Sequence, residues 1–193
     1  MSAALVITRQ RNSPGWAVRS APAMFRQPVV IRAARPADAD AIHQLIVEHA
    51  AEGRLLARTI DDIAGHADRF VVACQGTVIV GCVDLTPLSS ATAEIRSLVV
   101  DRSARSNGVG RLLLDELTFR ADQAGFDMLC AFTHSPGYFV HSGFSVVPHA
   151  WIPEKITRDC RGCAQFRACG QYAVVRPLAL ATSRIQGVCS ANG

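Results

Sequence analysis

The stretch Glu94-Ile-Arg-Ser-Leu-Val-Val-Asp-Arg-Ser-Ala-Arg-Ser-Asn-Gly-Val-Gly-Arg-Leu-Leu-Leu114 decides the fold, because it combines a strand, a polar turn and the start of a helix. Residues 94–100 end in β-branched side chains, which favour a strand. Residues 101–108 are rich in Ser, Asn and Arg and predict a turn. The apolar residues that follow recur at helical spacing and predict a helix over residues 109–124; they are Val109, Leu112, Leu113, Leu117, Ala121 and Ala124.

The turn before this helix has the chemistry of an anion site. Gly108 and Gly110 lie on either side of the helix start, and without a Cβ they let the backbone approach a ligand closely. A helix N-terminus presents unpaired N–H groups and about half a positive charge, and Arg105 and Arg111 add full charges. These features together favour a pyrophosphate. The turn is not the three-glycine dinucleotide fingerprint, and no Gly-Lys-Ser/Thr follows it.

Two segments resemble motifs of one enzyme superfamily. Arg105-Ser-Asn-Gly-Val-Gly110 resembles the Arg/Gln-x-x-Gly-x-Gly/Ala motif of the GNAT acetyltransferases, and Tyr138-Phe-Val-His-Ser-Gly-Phe144 looks like their second motif. The resemblance implies acetyl-CoA as the acetyl donor, with its pyrophosphate on the turn and its pantetheine arm along the preceding strand. The cofactor-binding residues that it implies are Leu98, Val99, Val100, Arg105, Ser106, Asn107, Gly108, Val109, Gly110 and Arg111.

Hydrophobic periodicity and turn residues predict the remaining elements. Strands are expected over 29–34, 70–75, 78–85, 92–100, 128–133, 144–148 and 172–177. Helices are expected over 40–51, 59–67, 109–124 and 138–142, with Asp38 as the N-cap of the first. This order resembles the GNAT fold, an α/β (α+β) domain with a mixed, mostly antiparallel sheet and helices on both faces. The domain should span residues 29–180, with a disordered extension or transit peptide over 1–28 and a tail over 181–193.

Composition limits the function classes. The net charge of +4 is modest, so nucleic acid is not an expected partner. No apolar run reaches the roughly 18 residues that a membrane span needs. Because no secretory signal is visible, the seven cysteines are expected to be free thiols in a cytoplasmic protein. A homodimer is left open.

Three cysteines cluster towards the C-terminus, as Cys160-x-x-Cys163 followed by Cys169. Tetrahedral zinc needs four ligands, and Cys189 or His149 is available as the fourth. Bound metal, reactive or redox thiols, and a purely structural role all stay open, and no residue is assigned as a metal ligand.

Acetyl transfer to an amine benefits from a base that removes the amine proton. Glu94 is the candidate base, directly or through a water, and His134 is its rival. Strand alternation predicts that Glu94, Arg96, Leu98 and Val100 lie on one face of their strand.

The leaving thiolate needs a proton, which a tyrosine often supplies in this superfamily. The usual position of that tyrosine holds Phe139 here, and Tyr138 lies one residue earlier. Tyr138 is the candidate acid, with packing on the cofactor or in the core as the alternatives for its side chain and water as the alternative proton source.

Three segments resemble the short, kinase-less bacterial N-acetylglutamate synthases. They are Gly53-Arg-Leu-Leu-Ala-Arg58, the strand at 94–100, and Ile152-Pro-Glu-Lys-Ile156 with the cysteines after it. The resemblance implies an amino-acid N-acetyltransferase that acetylates L-glutamate for arginine biosynthesis. Arg58 and Arg96 would bind the substrate carboxylates, with Lys155 as a third cation, since arginine binds a carboxylate with a planar fork. Another amine (a protein N-terminus, a polyamine or an antibiotic) and a non-catalytic acetyl-CoA-binding module stay open.

Overall fold

The computed structural model describes residues 27–50, 55, 57–164 and 166–178, so the expectations for residues 1–26 and 181–193 lie outside the described residues. The strands are β1 (Val29–Ala33), β2 (Phe70–Gln75), β3 (Val78–Pro87), β4 (Thr92–Val100), β5 (Met128–Thr133), β6 (Ser145–Val147) and β7 (Tyr172–Pro177). The main helices are α1 (Ala39–Ala50), α2 (Ile60–Gly65), α3 (Val109–Gln123) and α4 (Pro136–His141). Short helical turns fill most of the chain between β6 and β7.

The strands form one seven-stranded sheet in the order β1-β2-β3-β4-β5-β7-β6. β4 and β5 run parallel, because α3 connects them across one face of the sheet. The other neighbouring pairs are antiparallel, and β2 turns into β3 at Gly76, whose φ is +60°. The predicted mixed, mostly antiparallel sheet is confirmed.

Alternate strand residues bury the two faces of the sheet under different helices. On β2, Val71 belongs to the core that contains Leu113 of α3, whereas Val72 belongs to the core that contains Ile42 and Ile46 of α1. All five side chains are fully buried, and each contributes about 1.5–3 kcal/mol of hydrophobic stabilisation. The prediction of helices on both faces is therefore confirmed.

Asp38 does not cap α1, so that prediction was wrong. It ends a short 3-10 turn, Pro36–Asp38, that precedes the helix. Its carboxylate accepts two hydrogen bonds from Arg32 of β1, at 2.7 and 2.9 Å, and one from the Arg35 backbone N–H at 2.7 Å. The hydrogen bonds from Arg32 hold the pKa of Asp38 below its ordinary value. Asp38 thus connects the turn to β1. Sequence patterns for helix starts include only neighbouring residues, so they do not predict a bond to Arg32.

A β-bulge interrupts β4 at Ser97. Arg96 lies opposite Asp84, but Val99 lies opposite Cys82, so two residues of β4 face one residue of β3. Ser97 has a φ of +49°, in the left-handed region that a bulged residue can adopt. The bulge shifts the alternation of β4 by one residue.

The shift separates four residues that were expected on one face of β4. Ile95 lies in the core under α3, so its neighbours Glu94 and Arg96 point to the opposite face. Beyond the bulge, Leu98 and Val100 pack against the core under α3. The expectation of a single face was wrong, because strict alternation assumes a regular strand.

The start of α3 gives a test of the backbone geometry. Gly108→Ala should lower the free energy of unfolding by about 1–2 kcal/mol, because alanine would have to hold a φ of +76°. A Cβ at Gly108 would meet no atom within 4 Å, so a steric clash does not contribute. Gly65→Ala is the matched control, since its Cβ is equally free and its φ lies outside the left-handed region. The control should be neutral or stabilise by up to about 1 kcal/mol in urea unfolding. Equal losses in both variants would contradict this account.

Candidate active site

A cleft opens where β4 and β5 diverge. Their parallel pairing runs from Thr92↔Met128 to Glu94↔Cys130 and then stops, although β4 continues to Val100. Val99 and Val100 still pair with β3 on one side, and residues 98–100 line the cleft on the other. The cleft has a volume of about 1060 Å³. Unpaired N–H and C=O groups on a strand edge bind an extended ligand as an added strand.

The anion loop, residues 105–111, lies at the far end of this open edge. Gly108 is the N-cap of α3, and Ser106 before it also has a positive φ of 63°. The first N–H groups of α3, at Val109, Gly110 and Arg111, have no acceptor inside the helix, and all three residues line the cleft. The predicted loop therefore adjoins the predicted strand edge in one cavity.

The polar side chains of the anion loop hold the loop in place. Arg105 Nε donates to the Val100 carbonyl oxygen at 3.0 Å, and Arg111 pairs with Asp115 at 2.8 Å. Both arginines line the cleft, and each guanidinium has five N–H donors, so donors remain for an anion. Asn107 serves the loop itself, since its amide donates to the Ala104 carbonyl oxygen at 3.3 Å.

Tyr138 brings a hydroxyl group to the start of α3. A Cβ at Gly110 would lie 3.0 Å from Tyr138 Oη, so the missing side chain of Gly110 makes room for this phenol. Burial raises the pKa of Tyr138, and Asp115 adds to the rise while Arg111 opposes it. The phenol therefore keeps its proton at neutral pH. Phe139 instead packs edge-to-face on Phe144 in the core, with ring centroids 5.3 Å apart.

Four charged residues form an ionic cluster on the face of β4 that points away from α3. They are Glu94, Arg96, Lys155 and Asp159. Lys155 Nζ lies 2.7 Å from Glu94 Oε1 and 2.8 Å from Asp159 Oδ2. Arg96 Nε lies 2.6 Å from Glu94 Oε2, and Arg96 Nη2 donates to Asp159. All four residues line the cleft. Each carboxylate is thus held by both cations.

Two members of the ionic cluster are buried. Glu94 is only 3% exposed and Lys155 only 7%, with the Lys155 ammonium 5.3 Å from the centre of the Phe132 ring. Burial alone would raise the pKa of Asp159, but the cations around it, Lys155 first, bring the net pKa below its ordinary value. Burial lowers the pKa of Arg96, but the carboxylates of Glu94 and Asp159 raise it. The net pKa of Arg96 lies above its ordinary value. Both shifts favour the charged forms of Asp159 and Arg96.

Arg58 lies on the wall that α2 and β3 contribute. Its Nε donates to Asp62 at 2.5 Å and its Nη1 to Asp84 at 3.0 Å, and its guanidinium lies 5.7 Å from the centre of the Phe70 ring. Asp84 is fully buried, and Thr86 also donates to it at 2.9 Å. Burial raises the pKa of Asp84 while Arg58 opposes the rise.

Sequence reasoning missed Asp84 and Asp159, which hold the cleft arginines in position. Asp84 was detectable as an acid in the middle of an apolar strand, where a buried charge needs a partner. Asp159 gives no such signal, because nothing local connects it to Arg96, 63 residues away.

The remaining candidates divide between the cleft and the surface. His134 is exposed at the end of β5 and lines the cleft. His149 Nε2 lies 2.9 Å from the Gln171 carbonyl oxygen, and its ring lies against Phe132. Within residues 27–50, 55, 57–164 and 166–178, no three His, Cys, Asp or Glu residues are grouped to hold a metal ion. Cys189 lies outside the described residues.

An open strand edge that leads to an anion loop suits a ligand with an extended arm that ends in a thioester and with a pyrophosphate at its other end. Fold and site therefore define an acyl-CoA transferase. The chain belongs to the acetyltransferase (GNAT) family, whose sequence profile matches residues 37–140. It is an N-acetyltransferase that uses acetyl-CoA as the acetyl donor.

Three known proteins are similar to this chain over most of its length. A Chlorobaculum tepidum protein described as an uncharacterized N-acetyltransferase is 34% identical over 77% of this chain and 96% of its own length. The amino-acid acetyltransferase of Mycobacterium tuberculosis is 27% identical over 81% of this chain and 92% of its own. The N-acetylglutamate synthase of Neisseria gonorrhoeae, solved with coenzyme A and N-acetyl-glutamate, superposes with a TM-score of 0.71 at 27% identity over 78% of this chain. This chain spans only 35% of the Neisseria protein.

In the described part of the chain, no helix is both long and apolar enough to cross a membrane. A homodimer stays open, and the cytoplasmic location stays a prediction.

The lowered pKa of Asp159 predicts an acid dependence of stability. A carboxyl group whose pKa is depressed by folding stabilises the protein above its unfolded pKa of about 3.9, and this contribution is lost as the pH falls through the lower folded pKa. Asp159→Asn should therefore destabilise the chain near neutral pH, and the difference from wild type should shrink below a pH of about 4. Urea unfolding across pH measures this. Asp61→Asn, on the exposed side of α2, is the control and should have little effect at any pH. A wild-type advantage over Asp159→Asn that grows in acid would contradict the sign.

Removing the buried ammonium tests the ionic cluster itself. Lys155→Met keeps the side-chain stem over Phe132 but leaves Glu94 and Asp159 short of a cation, and it should cost about 3 kcal/mol of unfolding free energy. Adding Glu94→Gln to this variant should recover part of the loss. Arg158→Met is the matched control, because its contact to Asp159 is 3.8 Å long, its side chain is 45% exposed, and its hydrogen bond to the Pro87 carbonyl oxygen, at 2.6 Å, is also exposed. It should cost less than about 1 kcal/mol. Similar losses at Lys155 and Arg158 would show that burial of the pair does not matter.

Proposed function

We propose that this chain acetylates the α-amino group of an amino acid, and that the amino acid is L-glutamate. The observation that carries the proposal is the placement of Arg58, Arg96 and Lys155 along one cleft, beside the open edge of β4. Glutamate brings two carboxylates and an amine, and carboxylates bind best to fixed, charged donors. The product, N-acetylglutamate, would serve arginine biosynthesis.

Arg58 and Arg96 each keep N–H donors that no described residue uses. Arg58 uses Nε and Nη1 on Asp62 and Asp84, and Arg96 uses Nε and Nη2 within the ionic cluster. Among the hydrogen bonds of the described residues, Nη2 of Arg58 and Nη1 of Arg96 take no part. A substrate carboxylate would therefore meet N–H groups that are already oriented, which lowers the entropy cost of binding.

The donor half of the reaction would rely on backbone groups. The pantetheine arm of acetyl-CoA would lie against residues 98–100 as an added strand, with its pyrophosphate on the anion loop. A backbone N–H of this segment would then donate to the thioester carbonyl oxygen and stabilise the negative charge that develops there. Because backbone supplies these contacts, they depend on the divergence of β4 and β5 rather than on particular side chains.

The proton transfers would fall to Glu94 and Tyr138. An amine attacks only in its neutral form, and a positioned base contributes typically about 10²–10⁴-fold in rate. Both Glu94 oxygens already accept hydrogen bonds from cations, so Glu94 would act on the amine through a water. Tyr138, protonated at neutral pH, would protonate the leaving thiolate. His134 is the rival base at the end of β5.

The similar proteins support the acceptor class without fixing it. The Mycobacterium relative is an amino-acid acetyltransferase, and the Neisseria structure holds N-acetyl-glutamate. A different amine is the second candidate, because the cleft cations are paired with acids. Such a charge-balanced cleft also suits an amine that carries no carboxylate.

The first test is CoA release from acetyl-CoA with L-glutamate as the acceptor. Release should depend on glutamate, and Arg58→Ala and Arg96→Ala should each raise the glutamate KM by about tenfold or more, since a charge-assisted hydrogen bond is worth about 1.5–3 kcal/mol. The KM for acetyl-CoA should change little.

Arg120→Ala is the control for these arginine variants, because Arg120 pairs with Glu116 on α3 and does not line the cleft. It should leave both KM values unchanged. Turnover with another amine but not with glutamate would reject glutamate and favour the second candidate. Acetyl-CoA binding without turnover on any amine would leave only a non-catalytic module.

A further inference from the structure

His49 is the last buried residue of α1, and one of its ring nitrogens is committed to the helix. Nδ1 lies 2.8 Å from the Leu45 carbonyl oxygen, one turn earlier. A carbonyl oxygen only accepts, so Nδ1 carries the proton. In the neutral ring, Nε2 then presents a lone pair and no hydrogen. The helix thus fixes the tautomer, and Nε2 is a hydrogen-bond acceptor.

This acceptor has no partner within the described part of the chain. His49 is 6% exposed, and Nε2 is buried without a hydrogen bond there. A buried acceptor that lacks a partner costs stability, so such atoms are uncommon in folded proteins unless a ligand or water completes them. His49 also lines the cleft. An unsatisfied nitrogen on a ligand cleft points to a ligand that donates a hydrogen bond.

The position of His49 along the cleft indicates which ligand group it meets. α1 packs on the face of the sheet that holds Val99, just before the end of β4. Asp101 follows β4 directly, and hydrogen bonds from Ser103 lower its pKa; the His49 ring lies close enough that its charged form would lower this pKa further. His49 therefore lies beside the open edge at residues 98–100, towards the anion loop. Glu94, on which the amine chemistry would centre, is at the other end of that edge.

We propose that His49 Nε2 accepts a hydrogen bond from an amide N–H of the pantetheine arm of acetyl-CoA. The arm carries two secondary amides, and an extended ligand on a strand edge satisfies only the groups that face the strand. An amide N–H that turns away from β4 needs a partner elsewhere on the cleft wall. α1 supplies that partner with a ring whose tautomer is already set. His49 is thus a binding residue for acetyl-CoA, the acetyl donor.

The test compares two ligands that differ only in the arm. The ligands are CoA and 3′-phosphoadenosine 5′-diphosphate, which keeps the adenine and pyrophosphate but lacks pantetheine. Binding is measured by calorimetry on the full chain, with no acceptor present. His49→Phe should weaken CoA by about five- to tenfold, because one hydrogen bond is lost, and should leave the truncated ligand unchanged. His49→Gln retains an acceptor oxygen and should recover part of the CoA affinity.

His141→Phe is the matched control. His141 makes the same kind of bond, from Nδ1 to the carbonyl oxygen of Gly137 one turn earlier, at 2.6 Å, but it is exposed and does not line the cleft. It should bind both ligands as wild type does. Melting temperatures would identify a variant that fails to fold, and His49→Gln then carries the comparison.

Equal weakening of both ligands, or of neither, would overturn the proposal. A higher KM for the amine acceptor with unchanged CoA affinity would also overturn it, by assigning Nε2 to the acceptor. Since the binding assay contains no acceptor, its outcome is independent of whether glutamate is the substrate.

Discussion

The divergence of β4 and β5 after Glu94 is the constraint on which the rest of the site depends. Two parallel strands that separate leave backbone N–H and C=O groups without partners, and buried backbone groups cannot stay unpaired at low cost. An extended ligand between the strands would resolve this problem. The start of α3 lies at the far end of the opening, so the same ligand would reach a helix N-terminus with its pyrophosphate. In this proposal, fold and cofactor site are one structural feature.

The bulge at Ser97 then divides β4 between two tasks. Before the bulge, Glu94 and Arg96 face away from α3 and join Lys155 in the ionic cluster. After it, Leu98 packs towards α3 and helps to support the helix whose N-terminus would hold the cofactor. A regular strand would place Glu94, Arg96 and Leu98 on one face. One residue in a left-handed conformation thus places the proposed acceptor residues and the support of α3 on opposite faces of the same strand.

Most of the fold was predictable, because its signals are local. Apolar spacing in α3, the turn at Gly76 and the residues of the anion loop each act within a few positions of the chain. The failures were non-local. Asp38 was assigned to the helix beside it, although Arg32 on β1 holds its carboxylate. Alternation was extended through Ser97, where only the pairing with β3 reveals the extra residue. Sequence spacing contains neither kind of information.

The acceptor side was less predictable than the cofactor side for a physical reason. The proposed cofactor contacts come from backbone groups, which any sequence with this loop and strand supplies. The proposed acceptor contacts come from charged side chains whose positions depend on distant partners, as Arg58 depends on Asp84 and Arg96 on Asp159. Those partners lower the net charge of the cleft but also fix the guanidinium planes. Geometry rather than net charge should therefore decide which amine binds, and a substrate with carboxylates at the right spacing gains more from this site than one that is merely anionic.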